Sequence, residues 1–129
     1  MPHRLTSEQR VLISVVDDDV SSRESLPDLL QMLGFAALTF AFAEDFLASN
    51  VLTGTNCLIL DVSMPGMSGP ELQRELSRRE LKIPIIFITA HRDLDLRADL
   101  LARGAVECLF KPFSEQALRS ALDRVFGTP

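Results

Sequence analysis

Four short apolar runs in this chain each end in a polar residue, and this pattern restricts the fold more than any other feature of the sequence. The runs span residues 11–16, 57–60, 85–88 and 106–110. The residues that follow them are Asp17 to Asp19, Asp61, Thr89 and Lys111. If the runs are strands of one parallel sheet, their carboxyl ends meet at the same edge. The sequence therefore predicts one crevice that holds several carboxylates, a hydroxyl and an ammonium group.

Helix-like stretches separate the apolar runs, so strand and helix alternate along the chain. Helices are predicted at residues 21–33, 43–49, 68–79, 93–103 and 114–126, with a further strand at 35–40. Nearly continuous apolar strands between helices are typical of a parallel sheet covered on both faces. We expect an α/β three-layer sandwich of flavodoxin-like type, whose five parallel strands have the order 2-1-3-4-5. In that order a ligand site lies between strands one and three, which end at Asp17 and Asp61.

Several helix ends carry capping signals. Ser68, with Glu71 three residues later, has the spacing of a capping box. Asp93 and Ser114 stand where they would cap the fourth and fifth helices. The first helix contains Pro27, which removes a backbone donor and crowds the preceding turn. We therefore expect that helix either to begin late or to kink, at a cost of up to about 3 kcal/mol.

Composition favours one folded unit. The 129 residues are 47% hydrophobic and 24% charged, which suits a single domain with its own core. We expect a flexible segment at residues 1–10, a domain at 11–126 and a tail at 127–129. The net charge of −5 gives no field that would attract nucleic acid or an anionic membrane. Because the sequence shows neither a bilayer-spanning apolar stretch nor a signal peptide, a cytoplasmic location is predicted.

The cysteines and histidines form neither a disulfide pattern nor a zinc pattern. Cys57 and Cys108 fall on the third and fifth predicted strands. Two strand spacings separate them by about 9 to 10 Å, which exceeds the reach of a disulfide. His3 and His91 show no clustered spacing with the cysteines, so the ligands of a structural zinc site are lacking. Both cysteines are predicted to be reduced core thiols.

The acidic cluster predicts a hard divalent cation and phosphate chemistry. Close carboxylates repel one another and raise each other's proton affinity unless a cation compensates. Carboxylate and carbonyl oxygens together with waters suit Mg²⁺, which commonly binds phosphate oxygens as well. Asp61 can attack a phosphorus atom and form an acyl phosphate. Mg²⁺, the Lys111 ammonium and the Thr89 hydroxyl would then stabilise the transferred oxygens.

Taken together, these residues resemble the response-regulator receiver domain of two-component signalling, whose fold is CheY-like. The family pattern is matched by the acid pair at residues 17–18, the phosphoacceptor loop at 61–69, the Thr-Ala pair at 89–90 and Lys-Pro-Phe at 111–113. The resemblance covers nearly all of residues 11–126. The segments around the Thr-Ala pair and the Lys-Pro-Phe ending are most similar to the FixJ-like branch of the family.

The resemblance implies a set of Mg²⁺ ligands. Asp18 would bind the ion directly, and Asp17 would bind it directly or through water. Asp61 would be both a ligand and the phosphorylated residue. The backbone carbonyl of Ser63 would complete the ligands that the protein provides.

The resemblance also implies a phosphorylation switch. A sensor histidine kinase or phosphotransfer protein would donate the phosphoryl group to Asp61, and Lys111 would contact it through a side chain that a cis Lys111–Pro112 peptide directs. Thr89 would move toward the phosphoryl group, and the fourth helix and fifth strand would relay the change. Such a domain catalyses only its own phosphotransfer and dephosphorylation, so it is not a conventional enzyme.

Other functions share parts of this pattern. A phosphatase with an aspartyl nucleophile would need an acid two residues after Asp61, where this chain has Ser63. A nucleotide enzyme would need a glycine-rich loop after the first strand, and residues 17–21 contain no glycine. A scaffold of the same fold that binds partners without taking phosphate is the main alternative.

One position departs from the family pattern. Many receivers carry Tyr or Phe three residues before the lysine, and that residue rotates inward as the threonine moves. Here the position holds Cys108, whose thiol is too small for the same readout. Phe110 faces the same side of a regular strand as Cys108, so Phe110 is a candidate substitute.

The fourth predicted helix has apolar residues on two sides. Leu94, Ala98 and Leu101 fall on one face. Leu96 and Leu100 fall almost opposite and are predicted to face solvent. The functional interpretation is a surface for a protein partner or a phosphorylation-dependent homodimer. The alternative is ordinary scattered apolar surface.

Overall fold

The structure is a computed structural model that describes residues 11–127. The predicted flexible segment at 1–10 and residues 128–129 of the predicted tail lie outside this range. The elements are β1 Leu12–Val16, α1 Val20–Met32, β2 Ala36–Phe40, α2 Ala43–Leu47, β3 Cys57–Asp61, α3 Gly69–Arg78, β4 Ile85–Thr89, α4 Leu94–Ala102, β5 Glu107–Phe110 and α5 Glu115–Phe126, with a 3₁₀ turn at Leu52–Gly54. Within the described range, no helix is long and apolar enough to cross a membrane.

The five strands form one parallel sheet in the order β2-β1-β3-β4-β5, which confirms the predicted topology. The register aligns the carboxyl ends of neighbouring strands. Val16 pairs with Leu60 in β3, and Asp61 pairs with Ile88 in β4. Asp17 and Asp61 therefore leave adjacent strands at the point where the strand order reverses, which is where such sheets place their ligands.

Apolar side chains on the two faces of the sheet form two separate cores. The first lies beneath α2, α3 and α4, and the second lies beneath α1 and α5. Alternation along the strands divides their residues between the cores, so Leu58 and Leu60 belong to the first while Ile59 belongs to the second. Cys108 lies in the first core and Cys57 in the second, and both are buried free thiols, as predicted.

The first helix begins earlier than the sequence suggested. Asp19 is its N-cap and accepts a hydrogen bond from the Ser21 amide at 3.1 Å. The Arg23 amide donates to the Asp19 carbonyl at 3.1 Å, which closes the first turn. The helix then continues through Pro27 to Met32. Of the two expected alternatives the late start is therefore wrong, because a complete capped turn forms before the proline is reached, and the kink stays a prediction.

The other predicted caps are confirmed. Ser68 and Glu71 form both hydrogen bonds of a capping box at the start of α3. The Asp93 carboxylate accepts from the Leu96 amide at 3.0 Å. The Ser114 hydroxyl accepts from the Ala117 amide at 3.0 Å. Each cap satisfies a backbone donor that the helix itself leaves unpaired.

The predicted solvent face of α4 is wrong. Leu100 is fully buried and Leu96 is half-buried against the first core, whereas Leu94 is 70% exposed. In this orientation the Arg97 guanidinium donates to the Cys108 carbonyl of β5 at 3.3 Å and pairs with Glu107. Because apolar residues lie on both sides of this helix, periodicity could not choose the buried side. Leu100 does not belong to an exposed partner surface.

Candidate functional site

Three carboxylates meet at the carboxyl edge of the sheet. Asp17 and Asp18 follow β1, and Asp61 is the last residue of β3. One oxygen from each lies within 4.8 Å of the other two. Asp17 and Asp61 are buried, while Asp18 is exposed to solvent. The structure thus brings together the three carboxylates that the sequence assigned to a metal.

Asp17 is the most heavily bonded of the three. Its carboxylate accepts from the Lys111 ammonium at 2.8 Å and from the Asp19 amide at 2.9 Å. Burial acts to raise the pKa of Asp17, but the hydrogen bonds from Lys111 and Asp19 outweigh burial and hold this pKa below its usual value. Asp17 is therefore a fixed negative charge within the site.

Asp61 has the opposite tendency. Burial, together with the hydrogen bond and negative charge of Asp17, raises the pKa of Asp61 to about 7, although the Lys111 ammonium acts to lower it. The Ser63 amide donates a hydrogen bond that favours the ionised form. The site holds too much negative charge for its one nearby ammonium, so a bound cation would be needed to keep Asp61 ionised.

The donor set fits a hard divalent cation. All three groups are carboxylates, and the exposure of Asp18 leaves room for coordinated water. Oxygen ligands of this type, with several retained waters, suit Mg²⁺. Ser63 begins the loop that follows β3 and is exposed. Its predicted role as a carbonyl ligand stays a prediction.

Thr89 and Lys111 are joined by the backbone. Thr89 ends β4, and its carbonyl accepts from the Lys111 amide at 2.7 Å. The Thr89 side chain is buried, and its hydroxyl accepts from the His91 amide at 3.1 Å. The Lys111–Pro112 peptide is cis, as predicted. Since Ile88 pairs with Asp61, Thr89 follows directly after the residue that lies beside the proposed phosphoacceptor.

The unusual cysteine lies where the sequence placed it. Cys108 and Phe110 contact the same core, so they share one face of β5, as predicted. Phe110 pairs with Thr89 in the sheet. The guanidinium of Arg92 lies 5.6 Å from the centroid of the Phe110 ring, at cation–π distance. The role of Phe110 as a substitute switch residue stays a prediction.

Two further residues at this edge were not predicted from the sequence. Arg23 donates to the Asp17 carbonyl at 3.0 Å. Arg23 lies within the helix that the sequence predicts, but its contact with the backbone after β1 depends on how α1 packs against the sheet, which has no local sequence signal. Glu44 accepts from the Met67 amide at 3.2 Å across 23 positions of sequence. A local sequence pattern does not predict a contact between residues so far apart in the chain.

Comparisons with known proteins agree with this geometry. The family model of the response regulator receiver domain matches residues 13–123. Nodulation protein W of Bradyrhizobium diazoefficiens is 42% identical over 113 residues, which are 88% of this chain and 50% of that protein. The transcriptional regulatory protein FixJ of Azorhizobium caulinodans is 37% identical over 115 residues, which are 89% of this chain and 54% of that protein. The chain thus spans about half the length of these curated relatives.

Solved structures show the same similarity. The response regulator StyR is 45% identical with a TM-score of 0.81, over 90% of this chain and 59% of that one. The structure named FixJ-N is 36% identical with a TM-score of 0.80, over 91% of this chain and 94% of that one. The sheet order, the acidic cluster and these matches together establish that the chain belongs to the response regulator receiver domain family, in its FixJ-like branch.

Proposed function

We propose that this domain accepts a phosphoryl group on Asp61 with Mg²⁺ bound, and signals through the resulting change. Phosphorylation-dependent signalling is the standard function of the family. The observation that carries the assignment to Asp61 is the meeting of its carboxylate with those of Asp17 and Asp18 within 4.8 Å. Lys111, bound to Asp17, provides the positive charge beside them.

In this proposal Asp17, Asp18, Asp61 and the Ser63 carbonyl hold the ion, which would neutralise charge on the phosphoryl oxygens when bound. An ionised Asp61 oxygen attacks the phosphorus of a phosphohistidine. The new P–O bond forms as the P–N bond breaks, and the imidazole leaves with that bond's electron pair. The Lys111 ammonium stabilises the transferred oxygens, and the Thr89 hydroxyl, which accepts from the His91 amide, donates its own proton in a hydrogen bond to one of them.

The finer assignments belong to the same proposal. The donor is a sensor histidine kinase or phosphotransfer protein, and the domain catalyses only its own phosphotransfer and dephosphorylation. Histidine kinases use ATP, which is a cytoplasmic nucleotide. We therefore propose that the domain works in the cytoplasm. The domain is taken to span residues 11–126. Because the relative FixJ is named a transcriptional regulatory protein, we infer that the chain is the receiver of such a regulator. Homodimerisation on phosphorylation and a partner role for Leu96 stay predictions.

Intact-mass spectrometry tests the assignment. The wild-type domain and Asp61→Asn are incubated with acetyl phosphate or phosphoramidate, each with Mg²⁺ or with a chelator. We expect one phosphoryl adduct on the wild-type protein, only with Mg²⁺, and none on Asp61→Asn. Asp45→Asn, an exposed aspartate in α2, serves as the control and should take the adduct normally. Absence of an adduct with both donors and with a phosphorylated kinase would favour the phosphate-independent scaffold.

A further inference from the structure

The loop between β3 and α3 carries a proposed ligand of the metal. Ser63 lies at its start, directly after Asp61 and Val62. The loop is closed at its base, where the Gly69 amide donates to the Val62 carbonyl at 2.9 Å. Met64 is buried in the first core, and Met67 packs against the same core. These contacts leave the turn between the two methionines to be fixed by another group.

Glu44 contacts that turn from a different part of the fold. Its Oε2 atom accepts from the Met67 amide at 3.2 Å. The same oxygen would lie 2.6 Å from a Cβ atom on Gly66, so the carboxylate rests against the turn backbone. Gly66 has φ +73°, a left-handed conformation that favours glycine. Within residues 11–127, this is the hydrogen bond that links the turn to an element other than β3 and α3.

The helix that carries Glu44 is packed against the core. Glu44 lies in the first turn of α2, between the buried side chains of Ala43 and Phe46. The N-cap residue Phe42 forms no side-chain capping bond, so an acid in the first turn also compensates the helix N-terminus. A carboxylate is the stronger acceptor for a backbone amide, because a charged hydrogen bond exceeds a neutral one. Glu44 can therefore hold the turn at a fixed distance from the sheet.

We propose that Glu44 is a positioning residue for the site: it fixes the Gly66–Met67 turn and thereby the backbone of Ser63 at the metal. The inference rests on the proposed function of Asp61 and Mg²⁺. Glu44 touches none of the reacting atoms. It acts through the loop, so its loss weakens ion binding and slows phosphorylation without removing a ligand.

Asp45 provides a matched control. It is the next residue in the same turn of α2, is exposed and carries the same charge. In the described part of the chain its carboxylate forms no hydrogen bond or ion pair. Asp45→Ala thus removes one negative charge from the same surface while leaving the Met67 amide bonded. Glu44→Gln removes the charge but keeps an oxygen that can accept from that amide.

The experiment compares the wild-type domain with Glu44→Ala, Glu44→Gln and Asp45→Ala. Amide hydrogen exchange by NMR, without Mg²⁺, measures protection of the Met67 amide. Calorimetry measures the Kd for Mg²⁺, and mass spectrometry measures the rate of phosphorylation by acetyl phosphate. Loss of one hydrogen bond corresponds to about a fivefold change in an equilibrium constant. We expect Glu44→Ala to lose Met67 protection and to weaken Mg²⁺ binding by about that factor, with slower phosphorylation.

Glu44→Gln should retain most of the protection and the affinity, and Asp45→Ala should change the affinity only by an effect that high salt removes. Equal Mg²⁺ affinity and equal Met67 protection in Glu44→Ala and Asp45→Ala would overturn the positioning role. A wild-type domain that neither binds Mg²⁺ nor takes a phosphoryl group would instead overturn the proposed function. The Met67 measurement separates these outcomes, because it is made without metal or phosphate.

Discussion

Gly69 lies so close to the end of β3 that any added side chain would disturb the site. A Cβ atom there would lie 2.3 Å from the Asp61 carbonyl oxygen and 3.0 Å from the Val62 Cα atom. Both neighbours are backbone atoms, which cannot rotate away. The first turn of α3 therefore approaches the end of β3 more closely than any other residue type allows.

Gly69→Ala tests this close approach. We expect α3 and the end of β3 to separate, at a cost of about 1 to 3 kcal/mol in the free energy of unfolding, with a lower rate of phosphorylation of Asp61. Gly54→Ala is the control, since a Cβ atom there meets nothing within 4 Å. Urea denaturation followed by circular dichroism measures both variants. Equal stability of Gly69→Ala and Gly54→Ala would contradict the packing argument.

Among the site residues, the sequence predicts those at strand ends and misses those whose contacts form only when distant segments pack together. Asp17, Asp61 and Lys111 could be found because each directly follows an apolar run or ends it. Arg23 and Glu44 could not be found in this way. The contact of Arg23 depends on how α1 packs beside the end of β1, and that of Glu44 depends on the packing of α2 beside a loop that is distant in sequence.

Among the elements, α4 shows how side-chain contacts decide what periodicity leaves open. With Leu100 on the buried side, Arg97 binds the edge of β5 through Cys108 and Glu107. Glu107 also pairs with Arg124 of α5 at 3.0 Å. One carboxylate on the last strand therefore connects the two helices that flank it. The apolar pattern of α4 alone does not predict these polar contacts.

Leucine truncations test the observed orientation of α4. Leu100→Ala should cost about 2 to 5 kcal/mol in the free energy of unfolding, because Leu100 is fully buried and a cavity would remain. Leu94→Ala should change stability by less than about 0.5 kcal/mol, since Leu94 is 70% exposed. Chemical denaturation of the two variants is the measurement. A larger loss for Leu94→Ala would support the opposite face as the buried one.

For the whole molecule, the fold was more predictable than the orientation of its parts. Each apolar run ends in turn or capping residues, and strict alternation of strand and helix permits few topologies. The helix caps followed from these local signals, and the strand order followed from the flavodoxin-like fold type that the alternation indicated. The start of α1 and the rotation of α4 did not, because a proline and a two-sided apolar pattern each allowed two interpretations.

The acidic edge also couples the stability of the whole domain to pH. The pKa of Asp61 rises from 3.8 to about 7 on folding without metal, so between these values the folded form binds a proton that the unfolded form has lost. The free energy of unfolding must then fall as pH increases through this window.

Without Mg²⁺, we expect stability to decrease between about pH 5 and pH 8 by an amount on the order of 2 kcal/mol. Asp61→Asn should remove most of this decrease, and Mg²⁺ should raise the thermal midpoint of the wild-type protein at the upper end of the range. Thermal denaturation across pH, in chelator and in Mg²⁺, provides the measurement. The same pH slope in Asp61→Asn would show that another group is responsible.

The division of the cysteines between the two cores gives the molecule a pair of independent reporters. The chain has no tryptophan or tyrosine, so its intrinsic fluorescence reveals little. Cys57 lies beneath α1 and α5, where burial raises its thiol pKa to about 12, and Cys108 lies beneath the opposite helices. Neither thiol reacts until its own layer opens. The alkylation rate of each cysteine therefore measures how fast one helical layer separates from the sheet. The cysteine that is alkylated faster lies beneath the layer that separates first.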